Sequence, residues 1–316
     1  LEIADALGNS TINTIELAKQ LHLNEDHLYR LMRMVSSLGV FEELSHRVFK
    51  NNKTSHYLKK DNQNSIRSMI LMHNSPEMIM PWIESLESSI VDGGMPFEKS
   101  NQYDMFDYMN KNQEFDLLFS KAMDSVENVA GSDFLKDLKW SEFTRIIDIG
   151  GSKGAKSLAI LKENPALKAV VFDRPQVIEE AKNYWEGKID KEVLNRVEFI
   201  EGNMLKSIPK AESDSDIYFF MAVFHTFDDD TCKQILVNLK NAIGHKRPYI
   251  IIADTVASEI KIDSITALID MQMLVGTKGR ERTLNEWNNL FYNTGFFIEK
   301  VIDIRMFAKF IVVRAI

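Results

Sequence analysis

The chain has 316 residues, 45% hydrophobic and 27% charged, with a formal net charge of −8 and one cysteine. That length fits two domains of ordinary size, no run approaches the unbroken ~20 apolar residues of a membrane helix, and the acidic balance excludes broad binding to nucleic acid or an anionic membrane, which depend on Lys and Arg neutralising phosphate. The same balance predicts small or neutral partners, and Cys232 alone can make neither an intramolecular disulfide nor a cysteine zinc site, which predicts a reducing, cytoplasmic setting.

The chain opens inside an apolar, helical pattern from Leu1 to Leu7, so a native segment is expected ahead of it. From residue 1 to about 137 the apolar spacing is helical. Thr14 to Leu21 predicts a short amphipathic helix, and Asn24 can cap a second, running from Glu25 through Leu28, Leu31, Met32, Val35 and Leu38 to a stop at Gly39. Residues 40–44 and 48–50 flank a turn and read as a small β-wing, which makes the front winged-helix-like. Charge disfavours DNA binding: residues 1–60 hold eight Lys and Arg against seven Asp and Glu, and the second helix offers only Arg30 and Arg33 behind Glu25 and Asp26. Longer helices are predicted over 65–73, 77–91 and 112–130, with a break at Gly93-Gly94-Met95-Pro96-Phe97. Phe115, Leu117, Leu118, Phe119 and Met123 crowd one of them, and Leu71, Met72, Met78, Ile79, Met80 and Trp82 crowd the others. That is more apolar surface than a thin helical layer covers by itself, and a homodimer through this region is expected.

Near Leu138 the texture changes. Short β-branched or aromatic runs at 145–148, 168–173, 197–200, 216–223 and 249–254 alternate with polar or helical stretches, the pattern of an open parallel sheet with helices on both faces. Two last runs, 297–304 and 307–313, are close enough to pair as antiparallel strands. The predicted class is α/β: a doubly wound, mostly parallel, seven-stranded sheet over 138–316 behind an all-α, winged-helix-like dimerisation domain over 1–137.

Asp148-Ile149-Gly150-Gly151-Ser152-Lys153-Gly154 joins the first strand of this part to a helix, and its glycines let a ligand approach the backbone. The dinucleotide pattern G-x-G-x-x-G is absent. An acidic Asp148 disfavours pyrophosphate and suits a cationic or neutral ligand, such as the amino-acid end of S-adenosyl-L-methionine (SAM). Asp173 ends the next strand, 25 residues on, placed to accept both ribose hydroxyls of an adenosine. A bare turn or a helix cap is the plainer use of each feature alone; together they favour a nucleoside. Asn203 can meet the exocyclic amine of adenine and Met204 its ring face. His225 ends the fourth strand, and ligands of doubly wound sheets sit beyond the carboxyl ends of the strands. Asp254 at the end of the fifth, and Glu281 beyond it, can hold the imidazole in the tautomer of a general base. No clustered ligand set suggests a metal.

With these residues in order, the sequence resembles the SAM-dependent small-molecule O-methyltransferases, the family of the plant caffeate and flavonoid enzymes and of acetylserotonin O-methyltransferase. The likeness spans essentially the whole chain: residues 16–18, 30–33, 37–41, 93–97 and 119–123 in front, then 148–151, 172–175, His225, 270–274, 281–283, Trp287 and 294–296. It implies a dimeric enzyme in which His225 takes the proton of a substrate hydroxyl while Asp254 and Glu281 flank it. SAM would be held by Asp148, Gly150, Gly151, Asp173, Asn203, Met204 and Phe227. An aromatic acceptor would be lined by Phe119, Met123, Asp270 and Met273, with the methionines sandwiching its ring. Several positions depart from the family: Ser152 stands for a third glycine, Asn203 for an adenine-side Asp, Met221 for a cofactor-side Lys, and Thr226-Phe227 for Asp-Trp, where Phe227 still offers a ring for stacking.

The expected reaction is methyl transfer from SAM to a hydroxyl, phenolic by the resemblance, of a small aromatic metabolite. Two rivals stay open. A relative that keeps the fold and SAM but runs another reaction or none is favoured by Met221, Asn203 and Thr226; a regulator with its winged helix on DNA and SAM as effector is disfavoured by the missing basic patch.

Overall fold

The computed structural model describes residues 1–306 and 308–316. The chain divides into two compact units, Leu1–Ile83 with Phe106–Gly131, and Glu84–Met105 with Ser132–Ile316. A single cut at 137 therefore does not describe it. Residues 84–105 group with the second unit, where the helix Pro96–Asn101 buries Pro96 and Phe97 and packs on the helix Ser264–Gly276.

In the first unit, β1 (Thr11–Asn13), β2 (Phe41–Ser45) and β3 (Val48–Asn51) form an antiparallel sheet in the order β1-β3-β2. β2 and β3 are the two strands expected over 40–50. β1 is an addition to an all-α reading, because three residues are too few to carry a period-2 pattern. Asparagines start both short helices: Asn13 Oδ1 accepts the Ile15 N–H at 2.9 Å and Asn24 Oδ1 the His27 N–H at 3.0 Å. Leu7, Leu17, Leu28, Met32, Phe41 and Phe49 close a small core. The helix Gln113–Ala130 packs on Arg67–His73; it buries Phe115 and Ala122 and keeps Phe119 and Met123 half-buried. The helix expected over 77–91 is broken into Pro76–Met80, a π turn over Pro81–Ser85 and Leu86–Asp92. Pro81 has no N–H for the carbonyl four residues back and its ring crowds it, so the hydrogen-bond register widens there.

The second unit contains β4 (Arg145–Ile149), β5 (Lys168–Asp173), β6 (Val197–Glu201), β7 (Asp216–Met221), β8 (Tyr249–Asp254), β9 (Phe296–Asp303) and β10 (Lys309–Ala315). Among the described residues they make one sheet in the order β6-β5-β4-β7-β8-β10-β9, parallel except for β10, which runs antiparallel to β8 and β9. Phe307, where the last expected strand began, lies outside the described residues. Alternate residues feed opposite faces. Ile147, Val170, Tyr218 and Ile250 pack with Leu236, Leu239 and Trp287, while Ile146, Ala169, Ile217 and Ile251 pack with Leu158, Leu161 and Trp140. Each such Ile, Val or Leu side chain contributes roughly 1.5–3 kcal/mol of burial, and both faces being covered explains the near-continuous apolar strands. The strand order reverses at β4, so the carboxyl ends of β4 and β7 open onto the position where doubly wound sheets bind ligands.

Candidate active site

β4 passes into the glycine loop at Gly150, whose φ of 71° lies in the left-handed region. A Cβ at Gly150 would stand 2.9 Å from Val223 Cγ2, and one at Gly151 2.6 Å from Asp148 Cγ. The first glycine thus answers to conformation and space, and the second to the carboxylate beneath it. Asp148 is buried, and its Oδ2 accepts the Ser157 hydroxyl at 2.7 Å. Asp148 thus props the loop from inside. Ser152 itself takes a φ of 51°, and its N–H donates to Asp173 Oδ2 at 2.8 Å. Asp173 Oδ1 accepts the Arg174 N–H at 2.7 Å. A carboxylate has about four lone-pair directions, so two remain, as many as two ribose hydroxyls need. Burial pushes the Asp173 carboxyl above its usual range, against the pull of these two N–H bonds.

Met204 is half-buried beside the loop, its Cε 3.4 Å from where a Gly150 Cβ would be. Asn203 is exposed, and its Oδ1 accepts the Leu205 N–H at 2.8 Å, a local turn that occupies part of the amide expected to meet adenine. Phe227 is half-buried against the core on the Trp287 face of the sheet, whereas Met221 packs into the core on the opposite face.

β7 is shorter than expected. It ends at Met221 because Ala222, with a φ of 52°, turns the chain, and His225 stands in a single helical turn, Phe224–Thr226. Asp254, ending β8, receives the Phe224 and His225 N–H groups on Oδ2 at 3.1 and 3.4 Å and lies 3.8 Å from His225 Nδ1 through Oδ1. Glu281 Oε1 is 2.7 Å from the same nitrogen. Both carboxylates are buried, and the second Glu281 oxygen, Oε2, has no hydrogen-bond partner among the described residues. A buried carboxylate with one bonded oxygen depends on the positive charge it faces. Burial works against the imidazolium, but the Asp254 charge and then the Glu281 hydrogen bond and charge outweigh it and raise the His225 pKa to about 9. Burial first, and then the Glu281 charge, push Asp254 up to about 6 against the attraction of His225.

Asp270, expected beside the acceptor, accepts the Glu281 N–H on Oδ1 at 2.8 Å, which makes it a support of that carboxylate. Met273, one turn further along the same helix, is half-buried, and its carbonyl receives the Thr277 N–H at 2.8 Å. Sequence reasoning gave no role to Arg282, whose side chain is fully buried, or to Gly279. The guanidinium donates to the Phe224 and Phe227 carbonyls at 2.9 and 2.8 Å and to Asp229 Oδ1. Backbone carbonyls leave no trace in a sequence, so no residue pattern could have pointed to this pairing.

Residues 82–297 match the O-methyltransferase domain. (RS)-norcoclaurine 6-O-methyltransferase of Coptis japonica is 28% identical over 317 residues, covering 96% of this chain and 87% of its own. Phenazine O-methyltransferase PhzM of Lysobacter antibioticus is 28% identical over 305 residues, covering 96% and 86%. The solved structure of human N-acetylserotonin methyltransferase in complex with SAM shares the fold at a TM-score of 0.85, with 22% identity over 99% of this chain and 90% of its own. A glycine loop shaped at two positions by space, an acidic residue ending the next strand, and a match over most of the length agree: the chain belongs to the O-methyltransferase family and is a SAM-dependent O-methyltransferase.

Proposed function

We propose that this enzyme methylates a hydroxyl of a small aromatic molecule, a phenol above all, and that His225 is the general base. The observation that carries the reading is the imidazole held by Glu281 through Nδ1 at 2.7 Å on an 18% exposed side chain. A carboxylate on Nδ1 fixes the proton there in the neutral ring, which leaves Nε2 as the basic nitrogen. The relatives support the acceptor class, since one is named for O-methylation of norcoclaurine and another of a phenazine.

Magnitudes favour a raised base. A phenol at ~10 and a histidine at its ordinary ~6.5 differ by roughly 3.5 units, about 5 kcal/mol for full transfer before methylation. With His225 at about 9 the gap falls to roughly one unit, about 1.4 kcal/mol. Emptying that base at pH 7 costs about two units, roughly 3 kcal/mol, so strength is gained at the expense of availability near neutral pH.

SAM supplies an electrophilic methyl on a sulfonium. In this reading Asp173 takes the ribose hydroxyls, Gly150 and Gly151 admit the ligand to the backbone, Asp148 shapes their loop, and Met204 and Phe227 offer apolar faces. Glu281 and Asp254 steady the imidazolium formed when the acceptor gives up its proton. A panel of phenols, catechols and non-phenolic alcohols with methyl-labelled SAM tests the proposal. Label in an ether of a phenol supports it; label only in amines or thiols, or none, points to a relative with another reaction.

The first unit reads as a winged-helix-like element that pairs with a second copy. Leu71, Ile83, Leu117 and Val129 are exposed there, the kind of apolar surface an isologous contact covers.

A further inference from the structure

The segment 277–283 ties down the turn that carries His225, carbonyl by carbonyl. Arg282 Nη1 donates to the Phe224 oxygen at 2.9 Å, the Arg280 N–H to the His225 oxygen at 2.9 Å, and Arg282 Nη2 to the Phe227 oxygen at 2.8 Å. Closest of all is Gly279. A Cβ built there would lie 1.8 Å from the His225 oxygen and 2.5 Å from the Thr226 carbonyl carbon. Gly279 is not among the positive-φ glycines, so space, not backbone conformation, demands the missing side chain.

Carbon and oxygen in contact stand roughly 3.3–3.6 Å apart. An alanine would therefore have to push the two backbones apart by about 1.5 Å. The segment cannot yield by sliding, because Thr277 Oγ1 accepts the Gly279 N–H at 3.0 Å and donates to the Met273 carbonyl at 2.9 Å. The turn is equally fixed, through Arg282 and through the Phe224 and His225 N–H bonds to Asp254. The displacement falls on the contact two residues further on, between Glu281 and the imidazole.

We infer that Gly279 is a positioning residue for methyl transfer: by carrying no side chain it lets the segment meet the His225 turn and sets the 2.7 Å contact between Glu281 and the imidazole. The inference rests on the reading of His225 as general base, and its test separates the two. A misplacement of ~1 Å costs about 10²-fold in rate. Gly279→Ala is expected to lower kcat by about that factor and to leave the Kd for SAM, measured by calorimetry, within about twofold. It is also expected to move the titration of the His225 ring downward from about 9, followed by NMR of 13C-labelled histidine and assigned by its loss in His225→Asn. A folded Gly279→Ala protein whose His225 titration has not moved overturns the inference whatever its rate. A moved titration supports it, and if kcat is then unchanged it is the base assignment that fails. Should Gly279→Ala not fold, Thr277→Val removes the anchor of Gly279 without adding an atom against His225. The same downward movement, smaller, is expected from it, and an unmoved titration there overturns the inference too.

Discussion

His225 Nδ1 and Glu281 Oε1 meet at 2.7 Å although 56 positions separate the two residues in the chain. Asp254 stands behind them at 3.8 Å, so one imidazole is shared between two buried carboxylates. The charged form of the ring is the one that all three groups favour together, and the neutral form, the one a base must start from, becomes available only as pH rises.

The rate should follow that proton. kcat at saturating SAM is expected to climb with pH along a limb ending near 9, since His225 is raised to about 9. Glu281→Gln keeps the shape of the side chain and removes its charge, so its limb should sit at lower pH. A wild-type rate already flat from pH 6.5 upward would remove His225 from the proton path.

Stability should run the other way. The folded state holds the His225 proton more tightly than the unfolded chain does, so this contribution is complete below the ordinary 6.5 and is lost as pH rises through about 9. Asp254, raised from 3.8 to about 6, also binds its proton more tightly when folded, and its contribution fades as pH rises through about 6. The Tm of the wild type minus that of His225→Asn is expected to narrow between pH 6.5 and 9 in thermal melts. A difference that stays constant or widens there contradicts the raised imidazole.

Replacing His225 with Ala should lower kcat by roughly 10²–10⁴-fold, the ordinary contribution of a positioned base, with SAM affinity nearly intact. Single-turnover measurement with a good acceptor checks it. An undiminished rate means the acceptor loses its proton to water.

Asp173→Ala is expected to weaken SAM binding by about 1.5–3 kcal/mol, the range for hydrogen bonds to a charged group. It also removes the acceptor of the Ser152 and Arg174 N–H groups, so Asp173→Asn is the fairer comparison for the ribose contact alone. Calorimetry that finds unchanged affinity in both variants excludes Asp173 from the cofactor site.

Light scattering is expected to return the mass of a dimer. The exposed Leu71, Ile83, Leu117 and Val129 are the surface to be covered, and replacing Leu117 and Val129 with Lys should shift the population toward monomer. A monomer mass independent of concentration rejects the assembly for this chain.

The strands of the parallel sheet and the cofactor were legible in the sequence because each rests on local or periodic signals. Short apolar runs marked β4 to β8, Asn24 marked a helix start, and Gly150, Gly151 and Asp173 could be placed at strand ends, where we propose a nucleoside binds. His225 and Asp254 could be named as candidates because they follow apolar strands, and Glu281 because it is a later carboxylate in a stretch that carries the family resemblance. Their distances could not, because a contact between residues 56 apart depends on how two loops pack and on no pattern within either. For the same reason the hydrogen bonds by which Asp148 and Asp270 also support the Gly151 loop and Glu281 could not be read from the sequence. The parts played by Gly279 and Arg282 were not legible: one matters through an absent atom and the other through backbone carbonyls, and only the packed chain brings either against the turn of His225.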